Sequence, residues 1–243
     1  MFDPFGDYET AGYLRNIEGI KDLDELKRQE HVFFEANLEE ALSYLHAIKG
    51  KLTYSNFLQV HRLLFGEFYP WAGQDRLMLG VGRLVSKGKR IQFEVSERCQ
   101  HAIEWGLSKG NDAAILRRQP GTVMGIFAWG HPFLDGNGRT MLLVHSELCH
   151  RAGFSIDWGA SQKNAYLKAL TLEIENPQGK HLDNYLLPFC SKTRHKDLLQ
   201  HLMSLSGLDG RNRTSLPDIV YKADDPEANA AYQDIKRARG ESI

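Results

Sequence analysis

His131-Pro132-Phe133-Leu134-Asp135-Gly136-Asn137-Gly138-Arg139, HPFLDGNGR, lies between the apolar runs TVMGIFAW and MLLV. Flanks of that kind read as buried helices, joined here by an imidazole, a carboxylate, a guanidinium and two glycines. A plain turn needs far less. Gly136 and Gly138 suit left-handed backbone angles and close ligand approach, and successive N–H groups in such a loop form an anion-binding nest. The next helix is expected from about Gly138 to Ala152, so its uncompensated N–H groups and the positive end of its dipole face the same concavity. Arg139 in the first turn opposes that dipole, a local cost that is explained if its planar fork binds an anion. Phosphate is the ligand on which these features converge.

Asp135 is out of place beside a phosphate unless a cation lies between them. Magnesium takes one or two carboxylates together with phosphate oxygens and water, which suits Asp135 next to a nest. His131, four residues upstream, can take a proton from an incoming hydroxyl near neutral pH. Phe133 is expected to anchor the loop in the core. A zinc reading of His131 with His145 or His150 lacks thiolates and the H-E-x-x-H spacing. His61 and His101 read as surface or core residues, and Tyr13, Trp71, Trp105 and Trp129 as packing groups.

The chain has 243 residues, enough for one sizeable core with an appendage. Its 30 Lys and Arg balance 31 Asp and Glu, so no global positive field advertises nucleic acid or an anionic membrane as the main partner. Cys99, Cys149 and Cys190 are odd in number and far apart, which suggests neither a disulfide framework nor a zinc knuckle and points to a reducing compartment. The start, MFDPFGDYET, lacks a basic-then-apolar leader pattern, and no run of 18 apolar residues occurs. A cytoplasmic protein, or one delivered into another cell, is the expectation.

Apolar spacing predicts helices over Leu23 to Ile48, broken once, and from a Thr53 cap through Leu64 to Gly66. Residues 76 to 94, RLMLGVGRLVSKGKRIQFE, place short apolar runs around the turn-forming SKGK and read as the one β-hairpin. Helices return after Ser96, Asp112 and Ser161, and in LDNYLLPF and HKDLLQHLMSL. The expected fold is therefore mainly α with one hairpin, a core over residues 1 to 206, and a polar appendage over 207 to 243 holding a short helix from Pro226 to Arg239.

HPFLDGNGR resembles, at every defined position, the signature H-P-F-x-[D/E]-G-N-[G/K]-R of the Fic family. YLRNIEGI near the start, FYPWAGQDR, and the hairpin ahead of the signature fall where such proteins have comparable features. The resemblance implies a helical core that transfers AMP from ATP to a Ser, Thr or Tyr hydroxyl of a target protein and releases pyrophosphate. It also implies roles: His131 as general base, Asp135 as the Mg2+ ligand, Gly136, Asn137 and Gly138 around the phosphates, and Arg139 on the outer phosphates. The hairpin becomes a flap on which a target segment lies by strand addition, with Val85, Ser86 and Lys87 as the residues expected to touch it. The alternatives are transfer of another nucleotide or phosphate-linked group by the same loop, and a catalytically idle binding module.

One departure is Leu142, where many relatives have a second arginine on the terminal phosphate. Inhibitory segments of the pattern [S/T]-x-x-x-E-[G/N] pair their glutamate with that arginine. Thr171 to Asn176 fits the letters but falls in a helix the core needs, and Glu18-Gly19 has Leu14 where Ser or Thr should stand. A separate antitoxin-like inhibitor, or none, is the expectation. Whether the chain acts in its own cell as a toxin or elsewhere as an effector is left open.

Overall fold

The computed structural model describes residues 14–80, 83–87, 91–205, 219–222 and 226–238. Helix α1, Leu23–Ala47, starts where the Asp22 carboxylate accepts the N–H of Glu25 and runs unbroken, burying Leu26, Phe34, Leu38, Ala41, Leu42 and Leu45 along one face. Helix α2, Tyr54–Phe65, begins at Thr53, whose N–H bonds the Asn56 side chain, and ends at Gly66. Where the sequence predicts the start of a strand, residues Arg76–Leu79 form a short helix, α3. Asp75 decides this locally by capping the N–H of Met78 at 2.8 Å.

The hairpin is confined to β1, Leu84–Lys87, and β2, Ile91–Gln92, paired antiparallel; the turn residues 88–90 lie outside the described residues. A 3₁₀ turn at Ser96–Arg98 leads into α4, Cys99–Gly110, followed by α5, Ala113–Arg118, capped by Asp112. Helix α6, Pro120–Gly130, is apolar nearly all round and buried almost completely, as expected for a central helix. It packs against α4, against α7 (Asn137–Arg151), against α8 (Lys163–Glu175) and against α9 (His181–Leu186). Strands β3, Ser155–Ile156, and β4, Cys190–Ser191, form a small separate ladder, and α10, Leu198–Met203, covers α1. Trp71 and Trp129 are core residues; Trp105 instead lies 46% exposed under the Lys109 ammonium, and Tyr13 is outside the described residues.

The expected appendage is stitched to the flap. Strand β5, Ile219–Lys222, pairs antiparallel with β1 over four positions, from Leu84↔Lys222 to Lys87↔Ile219, so the sheet order is β2-β1-β5. Helix α11, Pro226–Ala238, follows and sends Tyr232 into a small cluster with Leu84 and Val95, its hydroxyl donating to the buried Glu94 carboxylate. A four-residue strand held by backbone bonds leaves little periodicity to read, so composition alone suggests a tail. Among the described residues no helix is long and apolar enough to cross a membrane.

Candidate active site

The signature loop is locked in place before any ligand is considered. Phe133 is fully buried, stacked at 3.7 Å on the His61 ring and packed against Phe57. The N–H of Phe133 donates to Asn137 Oδ1 at 2.9 Å, and Asn137 Nδ2 donates back to the Phe133 carbonyl at 2.7 Å. Asn137 therefore turns its amide into the loop and leaves only its backbone facing outward. His61, read from sequence as one of several bystander histidines, is a strut: its Nδ1 accepts from Gly73, so Nε2 donates to the Asp135 carbonyl at 3.0 Å. Burial drives its pKa down to about 3, which keeps that tautomer neutral.

The two glycines have different reasons. Gly136 caps α7 in the left-handed region, φ 74°, and a Cβ there would meet the Phe65 ring at 2.5 Å. Gly138 is helical, contrary to the expectation of left-handed backbone, and a Cβ on it would meet nothing within 4 Å. Its hydrogen keeps open the cavity it lines. The first intrahelical bond runs from Thr140 N to Gly136 O, so the N–H groups of Asn137, Gly138 and Arg139 precede the ladder and point toward that cavity.

His131 closes α6 with φ 40° and ψ 56°, a backbone strain for a non-glycine residue. Arg76, fully buried, holds it there: Nε donates to the His131 carbonyl at 2.8 Å and a terminal nitrogen to the Glu94 carbonyl at 2.6 Å. The imidazole stacks on Phe93 at 3.9 Å and donates to the Ala128 carbonyl. Nε2 has no partner among the described residues, so the remaining nitrogen, Nδ1, carries the proton and Nε2 presents a lone pair. Burial, then the positive charges of Arg76 and Lys87, hold the pKa well below the ordinary histidine value. The imidazole is therefore neutral near pH 7.

His131, Asp135, Gly136, Asn137, Gly138 and Arg139 line one cavity of about 550 Å³, within the range of small-molecule sites. Asp135 is half-exposed there, with Oδ1 accepting from Gly136 N at 2.6 Å. Arg139 is anchored from behind by Glu30 of α1, over the faces of Phe34 and Phe65. Burial raises the Glu30 pKa to about 7, against the lowering influence of Arg139. Of the flap residues, Lys87 lines the cavity, whereas Val85 is fully buried and Ser86 is partly buried within β1. Leu142 lines the cavity without charge. In α8, Thr171 and Ile174 both line it, Ile174 also packing into the core, whereas Glu173 accepts from Leu182 N. Glu30, His61 and Arg76 escaped the sequence reading because their partners are 109, 74 and 55 residues away.

Fold and site together define a helical domain in which the N-terminus of α7 and an unprotonated histidine line one cavity beside a β hairpin. Residues 51–149 match the Fic/DOC family, so this segment is a Fic/DOC domain. It is 32% identical over 172 residues to the protein adenylyltransferase VbhT of Bartonella schoenbuchensis, covering 69% of this chain and 35% of that protein. It is 27% identical over 172 residues to the probable protein adenylyltransferase y4lH of Sinorhizobium fredii, covering 67% of this chain and 84% of the relative. The chain thus spans about a third of the first relative and most of the second. The crystal structure of the VirB-translocated Bartonella effector BepC with bound AMPPNP, from Bartonella tribocorum, has a similar fold, with a TM-score of 0.61 at 19% identity over 76% of this chain and 95% of that one.

Proposed function

We propose that the protein transfers AMP from ATP to a hydroxyl side chain of a target protein. One observation carries the reading: His131, whose Nε2 has no partner among the described residues, lines the same cavity as the first residues of α7. The acceptor hydroxyl attacks the α-phosphorus as its proton passes to Nε2. The new O–P bond forms, the bond from the α-phosphorus to the bridging oxygen breaks, and pyrophosphate leaves with the electron pair. The α7 N–H groups and Arg139 meet charge on the phosphates, and Phe93 and Arg76 hold the imidazole in line. Similarity to proteins named as adenylyltransferases supports this choice of group.

Asp135 suits Mg2+: a single half-exposed carboxylate beside an anion nest supplies the one protein ligand that this ion needs when phosphate oxygens and water complete its shell. When bound, the ion would neutralise phosphate charge and orient the chain of phosphates. Val85, Ser86 and Lys87 belong to the flap proposed to bear the target segment. Because β1 is paired on both sides, a segment added by backbone pairing would use the outer edge of β2 or displace β5. We keep regulation by a separate antitoxin-like protein as the accompanying proposal, and delivery into another cell as an effector as one setting. The uncharged Leu142 favours one second reading, transfer of another phosphate-linked group by the same loop.

The test is incubation with α-labelled ATP, Mg2+ and candidate acceptor lysate, beside His131→Ala. Label on protein that disappears in the variant while nucleotide binding persists is the expected result. Equal binding with no label from either protein would leave only a binding module.

A further inference from the structure

The charges around the cavity are unevenly distributed. Among the described residues lining it, the formal charges are Lys87, Asp135, Arg139 and Lys163. Arg139 is turned toward the Glu30 carboxylate and seated over two aromatic rings, so part of its charge is answered from within the protein. Leu142, one turn further along α7, contributes none. A nucleoside triphosphate carries its greatest charge on the two outer phosphates, and the wall above His131 belongs to the flap. There, β1 ends on Lys87, whose backbone is fixed by pairing with Ile91 on one side and Ile219 on the other. The Lys87 ammonium also makes itself felt at the His131 imidazole, an independent sign that it faces the site.

We propose that Lys87 is the specificity-determining cation for the outer phosphates, so that the flap selects a nucleoside triphosphate over the monophosphate. The inference rests on the functional reading above. A strongly hydrated point charge on a flexible stem suits a terminal phosphate that must later depart, whereas the anchored Arg139 suits a fixed position. The same charge favours the leaving pyrophosphate without any proton moving through Lys87.

Equilibrium binding of labelled ATP and labelled AMP, each with Mg2+, to the full chain, to Lys87→Gln and to Lys163→Gln tests this. The expected result is a loss of ATP affinity in Lys87→Gln of about tenfold or more with AMP affinity nearly unchanged, restoration in Lys87→Arg, and a retained ATP preference in Lys163→Gln. An upward move of the His131 titration midpoint in Lys87→Gln, read by NMR, would support the placement, since a merely structural lysine would not produce it. Equal losses for ATP and AMP, no loss for either, or loss of the ATP preference in Lys163→Gln instead would overturn the proposal while nucleotide binding by the unsubstituted chain still stands. If the unsubstituted chain binds neither nucleotide, the functional reading itself falls, and this inference with it.

Discussion

The Arg76 guanidinium donates to the backbone carbonyl of His131 at 2.8 Å, which ties the helix preceding the flap to the strained residue that ends α6. The same side chain reaches the Glu94 carbonyl at 2.6 Å, so one buried cation fixes the flap base and the histidine together. Arg76→Met would leave these carbonyls without their charged donor, and a destabilisation of about 3 kcal/mol or more is expected in urea unfolding. Under conditions where the variant stays folded, a fall in transfer rate exceeding any fall in nucleotide affinity would mark the role as positioning.

Arg139 and Glu30 form a buried pair 109 residues apart in sequence. Glu30→Gln leaves Arg139 only the half-exposed Asp135 at 3.9 Å and is expected to cost about 1 to 3 kcal/mol, whereas Arg139→Met should cost less, because Glu30, already raised to about 7, then takes up a proton. The double variant should lose much less than the sum, which a double-mutant cycle in denaturant measures directly. Additive losses would mean that the two groups do not interact in solution.

The glycines of the loop should part company. Gly136→Ala forces a left-handed alanine against the Phe65 ring, and a loss of roughly 2 kcal/mol or more is expected in thermal melts. Gly138→Ala meets open space, so the melt should hardly move while nucleotide affinity falls, because the added methyl enters the cavity. A melt shift of similar size in both would contradict the distinction.

Acid should weaken the fold earlier than carboxylate titration alone would. His61 is held to about 3 and His145 to about 4, and His131 well below its ordinary value, each chiefly by burial. Below pH 6.5 the unfolded chain binds protons that the folded chain refuses, so the stability from these neutral imidazoles is full above pH 6.5. It declines as pH falls toward their folded values, by roughly 1 kcal/mol per pH unit for each fully neutral group. Urea midpoints across pH 7 to 4.5 check this, and His145→Gln should flatten the slope. By the same logic, the transfer rate should show no acid-limb loss attributable to His131 as pH falls from 7 to 6.

Much of this was legible locally. Thr53 and Asp112 mark helix starts through bonds made within two or three residues, and the apolar spacing of α1 records the face it buries. The helix over Arg76–Leu79 was missed because its apolar residues mimic a strand, while the decisive bond from Asp75 is a single cap. In the tail, β5 spends backbone groups rather than a pattern of side chains, so its docking on β1 had no signature to read.

The sequence by itself determined the chemical kit: an imidazole, a carboxylate, a glycine-opened helix start and an arginine in nine residues, because catalytic spacing along a loop is a local property. Only the tertiary structure decided which of these atoms face the cavity. Asn137 turns inward, Arg139 is held from behind by Glu30, and Nε2 rather than Nδ1 of His131 is left without a partner among the described residues. The seat of Arg139 depends on a partner 109 residues away and that of the loop on the His61 strut 74 residues from Asp135, both brought within bonding distance only when burial of the helices places α1 and α2 around one loop.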